Sequence, residues 1–276
     1  MRRVMTWMAV VGFLCAPVGL GLAEEAKIII DGSTTVGPIA KAMAEYYMAK
    51  HKGVNITVSE SGSGNGAKSL INGVCDIADM SRFMKPKEFK AAVENGVHPV
   101  AHVVAVDGIA LIVHPSNPIK GLTVAQVRDI YMGKIKSWGE VGGPSKKIVK
   151  IGRDTNSGTY ETFENLVMQK QRVAGETETA ASNGQVRARV QKTPTAIGYV
   201  GLGFVDRTVK AIEIDGILPT PKTVASGTYP ISRPLFMFTN GYPKPGSQLH
   251  AFVTLHLSKK GQEIIESIGF IPVTDY

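Results

Sequence analysis

Ile151-Gly152-Arg153-Asp154-Thr155-Asn156-Ser157-Gly158-Thr159 joins an apolar run at 148–151 to a segment at 160–168 whose apolar positions are Phe163, Leu166 and Val167. The pattern predicts a buried strand, a polar turn and a helix. Ser157, Gly158 and Thr159 then stand at a helix N-terminus, where the first backbone N–H groups lack intrahelical partners and the dipole favours an anion. The two hydroxyls add donors, Gly158 lets a ligand approach the backbone, and Arg153 carries a fork of charged donors. One such turn is compatible with nothing more than a capped helix.

The arrangement recurs toward the N-terminus. A short apolar strand at 27–30 leads into Asp31-Gly32-Ser33-Thr34-Thr35-Val36-Gly37-Pro38, and Pro38 suits the first turn of a following helix with Ile39, Met43, Tyr46 and Tyr47 on its apolar side. Val54, Ile56 and Val58 alternate as a second strand, followed by Ser61-Gly62-Ser63-Gly64-Asn65-Gly66 and a short helix with Ala67, Leu70 and Ile71. A strand at 74–80 ends at Ser81-Arg82. Residues 86–94 read as helical, and 100–106 and 108–113 as β-branched runs. Strands alternating with helices predict an α/β fold with mainly parallel sheets, in which ligands bind beyond the carboxyl ends of the strands. All four polar turns fall at such ends.

The second half opens at Pro115-Ser116-Asn117-Pro118. Thr123 is placed to cap a helix carrying Val124, Val127, Ile130 and Tyr131, residues 183–191 read as a helix and 197–200 as a strand. A strand is expected at 235–238, and closing helices at 247–257 and 259–268.

Residues 1–23 have the form of a signal peptide. Arg2 and Arg3 begin it, the apolar run at 4–16 is too short for a stable membrane anchor, and Gly21-Leu22-Ala23 supplies small residues for cleavage. Leu14 is bulky where lipid attachment at Cys15 would want a small residue, which argues against a lipoprotein. The mature chain is expected to begin at Glu24 and to be periplasmic or otherwise extracytoplasmic. Without Arg2 and Arg3 it carries 29 basic against 23 acidic residues, a net +6. That balance suits an anionic ligand. No basic run interleaved with aromatics points to nucleic acid. Cys75 alone remains after processing, so no internal disulfide is expected.

Catalytic patterns fail on their details. Residues 62–69 approximate a phosphate-binding P-loop but place Ala67 where that loop needs Gly. Ser61 occupies the outer glycine position of a would-be nucleophile elbow. His98 and His102 lie in a strand-like run with no glutamate partner, so neither a metal nor another cofactor is expected. The remaining chemistry is a set of donors: Thr34, Thr35, Ser63, Ser81, Arg82, Arg153, Ser157, Gly158 and Thr159. Such donors can hold a small oxyanion in a dry cleft.

These stretches resemble the phosphate-binding proteins of the phosphate-specific ABC importer. The similarity lies in Gly32-Ser33-Thr34-Thr35 with Pro38-Ile39, residues 61–66, Asp76-Ile77-Ala78 through Ser81-Arg82, and 153–159. It extends to Leu122-Thr123, 130–135 with Trp138, 196–200, and the closing Gly269-Phe270-Ile271-Pro272-Val273. The resemblance implies a two-lobed, type II periplasmic-binding-protein fold, each lobe a mixed sheet flanked by helices, with a hinge of two crossover segments. It implies a first lobe of 24–107 and 231–276, a second of 108–230, and closure around the ligand. It also implies a monomer that takes inorganic phosphate and delivers it to a membrane ABC permease. Thr34, Thr35, Ser63, Arg153, Ser157, Gly158 and Thr159 would touch phosphate. Many members have an aspartate where this chain has Ser81, and that carboxylate accepts the phosphate proton. Asp31, Asp79 or Asp154 is therefore expected to take over the acceptor role, with Arg82 as an added cation and Asp154 or another acid orienting Arg153. The rival readings are a receptor for sulfate or tungstate and a secreted phosphate-ester hydrolase.

Overall fold

The computed structural model describes residues 26–274, so the expected signal peptide and Cys15 lie outside the described residues. The chain first forms β1 (Ala26–Gly32), α1 (Gly37–Lys50), β2 (Val54–Ser59), α2 (Ser63–Ile71), β3 (Ile77–Met80) and α3 (Pro86–Glu94). β1 lies parallel to both β2 and β3. Alternation along β1 sends Ile28 and Ile30 into one apolar cluster, with Val36, Ile39, Met43 and Tyr47 of the α1 segment, while Ile29 packs against the opposite cluster under α2 and α3. The third strand is shorter than the apolar run suggested. It begins at Ile77, and Val74 is 61% exposed in the preceding turn.

The next strand, β4 (Pro99–Val113), passes from one half of the molecule to the other. The two β-branched runs of the sequence are one strand, because Asp107 between them stays extended in the ladder. Beyond it come β5 (Gly121–Leu122), α4 (Val124–Tyr131), β6 (Val149–Arg153), α5 (Gly158–Leu166), β7 (Glu178–Ala180), α6 (Asn183–Gln191), β8 (Ala196–Gly201), β9 (Lys210–Ala211), β10 (Glu213–Ile214) and α7 (Pro221–Ala225). The chain returns through β11 (Ser232–Asn240) and closes with α8 (Gln248–Val253) and α9 (Lys259–Ser267).

The main sheet has the order β2-β1-β3-β11-β4-β8-β6-β7. β11 is antiparallel to β3 and β4, β4 is antiparallel to β8, and β6 is parallel to β7 and β8. The early residues of β4 pair with β11 and its last five with β8, so two lobes share this strand. Each lobe has its own apolar clusters. Among the described residues no helix is long and apolar enough to cross a membrane.

In the second lobe, Phe163 of α5 stacks on Tyr199 with ring centroids 4.0 Å apart, and Tyr131 meets Phe163 edge-on at 4.9 Å. These rings also carry polar work. The Tyr131 hydroxyl donates to the Ile151 carbonyl at 3.0 Å, and the Tyr199 hydroxyl accepts from the Arg153 N–H at 3.1 Å. The end of β6 is thereby fixed to a rigid aromatic base. Leu166, expected among the apolar positions of this helix, is 43% exposed. The helix turns its buried side through Phe163 and on to Val167.

Candidate functional site: an anion cradle between the lobes

The polar turns after β1, β2, β3 and β6 converge on one small space lined by Ser33, Thr34, Thr35, Gly62, Ser63, Ser81, Arg153, Ser157, Gly158 and Thr159. The turn after β1 is folded by Ser33, whose Oγ accepts from the N–H groups of Thr35 and Val36 at 3.1 and 3.3 Å. After β2 the chain turns through Gly62 at φ +99°, a conformation that favours glycine, and α2 starts with Ser63 at the cradle. Ser157 caps α5 by accepting from the Tyr160 N–H at 3.2 Å, which puts Gly158 and Thr159 in the first turn with their N–H groups free of helical partners.

Contacts across the cleft close the site. Gly64 N–H donates to the Asn156 carbonyl at 2.9 Å. Arg153 Nη2 donates to Thr34 Oγ1 at 3.2 Å, and Thr35 Oγ1 lies 3.1 Å from Thr159 Oγ1. A Cβ added at Gly158 would lie 2.5 Å from Ser63 Oγ and 2.6 Å from Ser81 Oγ, so the cradle is bounded by bare backbone there.

Arg153 is 4% exposed and makes no ion pair among the described residues. Backbone carbonyls, not an acid, orient it. Nε donates to Ala180 O at 3.1 Å and Nη2 to Ala181 O at 3.0 Å, while Nη1 has no partner. Burial lowers its pKa to about 10, so it remains cationic near neutrality. A buried guanidinium with an unpaired nitrogen is costly unless an anion meets it.

Arg82 departs from the expectation. Its guanidinium is turned away from the cradle and held by Glu88, with Nη1–Oε2 2.8 Å and Nη2–Oε1 2.7 Å. Its Nε lies 2.7 Å from Glu161 Oε2, an oxygen that Lys85 Nζ also approaches at 2.8 Å. None of the three expected acceptors lines the cradle. Asp31 accepts from the hydroxyls of Ser61 and Ser69, at 2.7 and 2.5 Å. Asp154 accepts from the Asn156 N–H at 2.9 Å. Asp79 is fully buried, neither of its carboxylate oxygens has a partner among the described residues, and burial pushes its carboxyl well above the ordinary range. Among the described residues no cluster of His, Cys, Asp or Glu is arranged to hold a metal ion.

Three residues that the sequence reading passed over stand behind the hydroxyls. Asn183, in the first turn of α6, donates from Nδ2 to Thr35 Oγ1 at 2.9 Å and to Thr34 Oγ1 at 3.2 Å. Arg233 of β11 and Asp107 of β4 face each other in the ladder and form a fully buried pair, Nη2–Oδ2 2.9 Å. Arg233 also donates to Thr159 Oγ1 at 3.0 Å and to the Ser81 carbonyl at 3.0 Å.

Two lobes joined through the shared strand β4, with a ring of donors closed between them, define a two-lobed solute-binding protein. Residues 21–260 match the family model described as the PBP superfamily domain. The chain is 33% identical over 253 residues to the phosphate-binding protein PstS of Staphylococcus epidermidis, covering 87% of this chain and 77% of that protein. It is 33% identical over 263 residues to the PstS of Pseudomonas aeruginosa, covering 88% and 81%. An ABC-transporter substrate-binding protein of Clostridium perfringens, solved with bound phosphate, superposes with a TM-score of 0.84 at 34% identity, over 90% of this chain and all of that one. The chain belongs to the PstS-like phosphate-binding proteins of the PBP superfamily.

Proposed function

We propose that this protein captures inorganic phosphate between its lobes and delivers it to a membrane ABC importer. One observation carries the reading. Arg153 is a buried cation with no ion pair among the described residues, and it lines one small space together with seven other expected residues, Thr34, Thr35, Ser63, Ser81, Ser157, Gly158 and Thr159. The phosphate-binding names of the relatives point the same way. Arg82 is left out of the proposed ligand set, because its charge is spent on Glu88 and Glu161.

The lobes are taken as 24–107 with 231–276, and 108–230. Residues 1–23 act as a cleaved signal peptide, and the mature protein works outside the cytoplasm as a monomer. It is a receptor and not an enzyme. Calorimetry of the mature protein, stripped of ligand, against phosphate, sulfate and molybdate tests the assignment. Phosphate binding with no turnover of a chromogenic phosphate ester is the expected result, and ester turnover would restore the hydrolase reading. Saturating phosphate should also compact the protein in small-angle scattering, since its donors come from both lobes.

A further inference from the structure

Phosphate near neutrality carries at least one P–OH group, and a buried donor left without an acceptor is costly. No carboxylate lines the cradle, and its side-chain acceptors are hydroxyls. Each hydroxyl oxygen has two lone pairs. Ser33 Oγ accepts from the N–H groups of Thr35 and Val36. Thr34 Oγ1 accepts from Arg153 Nη2 and Asn183 Nδ2, both at 3.2 Å, and Thr35 Oγ1 from Asn183 Nδ2 at 2.9 Å. Thr159 Oγ1 accepts from Arg233 Nη2 at 3.0 Å, Ser63 Oγ from the Ser81 N–H at 3.1 Å, and Ser157 Oγ from the Tyr160 N–H at 3.2 Å. Ser81 Oγ is the one hydroxyl of the set that receives no N–H from the described residues. Its hydrogen-bond neighbour is Ser63 Oγ, at 3.4 Å.

Ser81 is nevertheless held in place. Its N–H donates to Ser63 Oγ, and its carbonyl accepts from Arg233 Nη1 at 3.0 Å, so the residue is fixed on both sides. Arg233 is anchored in turn by Asp107, Nη2–Oδ2 2.9 Å. A Cβ added at Gly158 would lie 2.6 Å from Ser81 Oγ, so this oxygen faces the bare first turn of α5. In either sense of the Ser63–Ser81 contact, Ser81 Oγ keeps at least one lone pair that no group among the described residues fills. When Ser81 is the donor, both lone pairs of Ser63 are filled, and Ser63 turns its own proton toward the anion.

We propose that Ser81 determines specificity: its Oγ accepts the hydrogen bond of the phosphate P–OH group while it donates to Ser63, which donates to another oxygen of the anion. This rests on the phosphate reading and names the group that recognises the phosphate proton. The acceptor is neutral. A carboxylate in its place would repel an anion that has no proton, whereas a hydroxyl only withholds one hydrogen bond from it. Preference for a protonated oxyanion is then worth a single bond, and a tetrahedral dianion without a proton binds more weakly but is not shut out. The nearby acids leave the role open. Asp107 is spent on Arg233, and Glu161 on Arg82 and Lys85. Asp31 and Asp154 are bonded elsewhere, and Asp79 does not line the cradle.

The test is calorimetry of the ligand-free mature protein with phosphate and with fluorophosphate at about pH 8, where both are mainly tetrahedral dianions. Fluorine stands in place of the OH, so fluorophosphate has no proton to give. The unmodified protein should bind phosphate ~5-fold or more tighter than fluorophosphate. In Ser81→Ala, phosphate affinity should fall by about that factor while fluorophosphate affinity changes by less than ~2-fold, so the preference disappears. Ser81→Cys, of similar size but with a sulfur that accepts weakly, should do the same, and serves if Ser81→Ala does not fold. Ser157→Ala should weaken both anions and keep their ratio. A Ser81 hydroxyl that only donated to the anion, or only shaped the wall, would lower both affinities together when removed. Equal affinities in the unmodified protein, a ratio that survives both Ser81 variants, or a ratio lost in Ser157→Ala instead overturns the assignment. Failure of both anions to bind overturns the phosphate reading itself.

Discussion

Arg82 Nε and Glu161 Oε2 lie 2.7 Å apart, an ion pair between the turn after β3 and the first turn of α5 that spans the mouth of the cleft. Both side chains are 8% exposed, and Lys85 Nζ reaches the same oxygen at 2.8 Å. The pair bridges the two proposed lobes, so opening of the cleft would break it. Glu161→Gln should therefore weaken phosphate binding by about 1–2 kcal/mol, mostly through faster release, because Arg82 keeps Glu88 in either state. Stopped-flow dissociation checks this, and an unchanged release rate would remove the pair from the closure equilibrium.

Arg153→Ala should cost about 2–5 kcal/mol of phosphate affinity, since it deletes the charged partner in a desolvated site. Arg153→Lys should recover only part, because a lysine cannot both hold the carbonyls of Ala180 and Ala181 and present a free nitrogen. Calorimetry of both variants decides it. Equal affinity of Arg153→Ala and the unmodified protein would end the assignment.

Gly158→Ala separates fold from site. Alanine suits a first helical turn, so thermal stability of the ligand-free protein should stay within about 1 kcal/mol. The added methyl, 2.5 Å from Ser63 Oγ and 2.6 Å from Ser81 Oγ, occupies the cradle wall, and phosphate affinity should drop by more than ~100-fold. Ser157→Ala should behave in the reverse sense, losing about 1 kcal/mol of stability with the cap of α5 and less affinity than Gly158→Ala loses. Melting curves with and without phosphate report both quantities.

Asp79 predicts a pH effect on stability rather than on binding. Burial raises its folded pKa above the unfolded value. The folded state therefore holds the proton more tightly, and the associated stability is full below the unfolded pKa and lost as pH rises toward the folded one. Asp79→Asn mimics the protonated form. Its melting temperature should match the unmodified protein at about pH 4 and exceed it increasingly toward about pH 8. A constant difference across that range would show the carboxyl does not titrate as its burial demands.

Much of the cradle was legible because its signal is local. A strand, a turn of hydroxyls and glycines, and a helix follow one another in a dozen residues around Thr34, Ser63 and Ser157; the parallel strands β1 and β2 bring the first two turns together, and the third meets them from the other lobe. Asn183 carried the same signal, but the strand before it is only Glu178–Ala180 and escaped the alternation test. Arg233 and Asp107 were out of reach for a different reason. They are 126 positions apart, and only the register of β4 against β11 sets them side by side. Arg82 was misplaced because a sequence shows a guanidinium but not its direction. Glu88, six residues on, and Glu161, on the other lobe, decide where it points.

The shared strand β4 makes the hinge a paired ribbon instead of a loop. Only its first rungs, Ser232 opposite Gly108 and Arg233 opposite Asp107, fall at the crossover; from there to Asn240 opposite Pro99, with one irregularity between Leu235 and Phe236, the ladder lies in the first lobe. A ribbon of this kind resists stretching and shear and yields to bending and twist. Such a crossover favours a swing of the lobes, like the covers of a book, over a slide of one past the other. Asp107 and Arg233 form a rung of that ribbon and Arg233 also donates to Thr159, so the crossover and the wall of the anion site are in direct contact. Spine and cradle share a residue here, and a change made to loosen the first will be felt at the second.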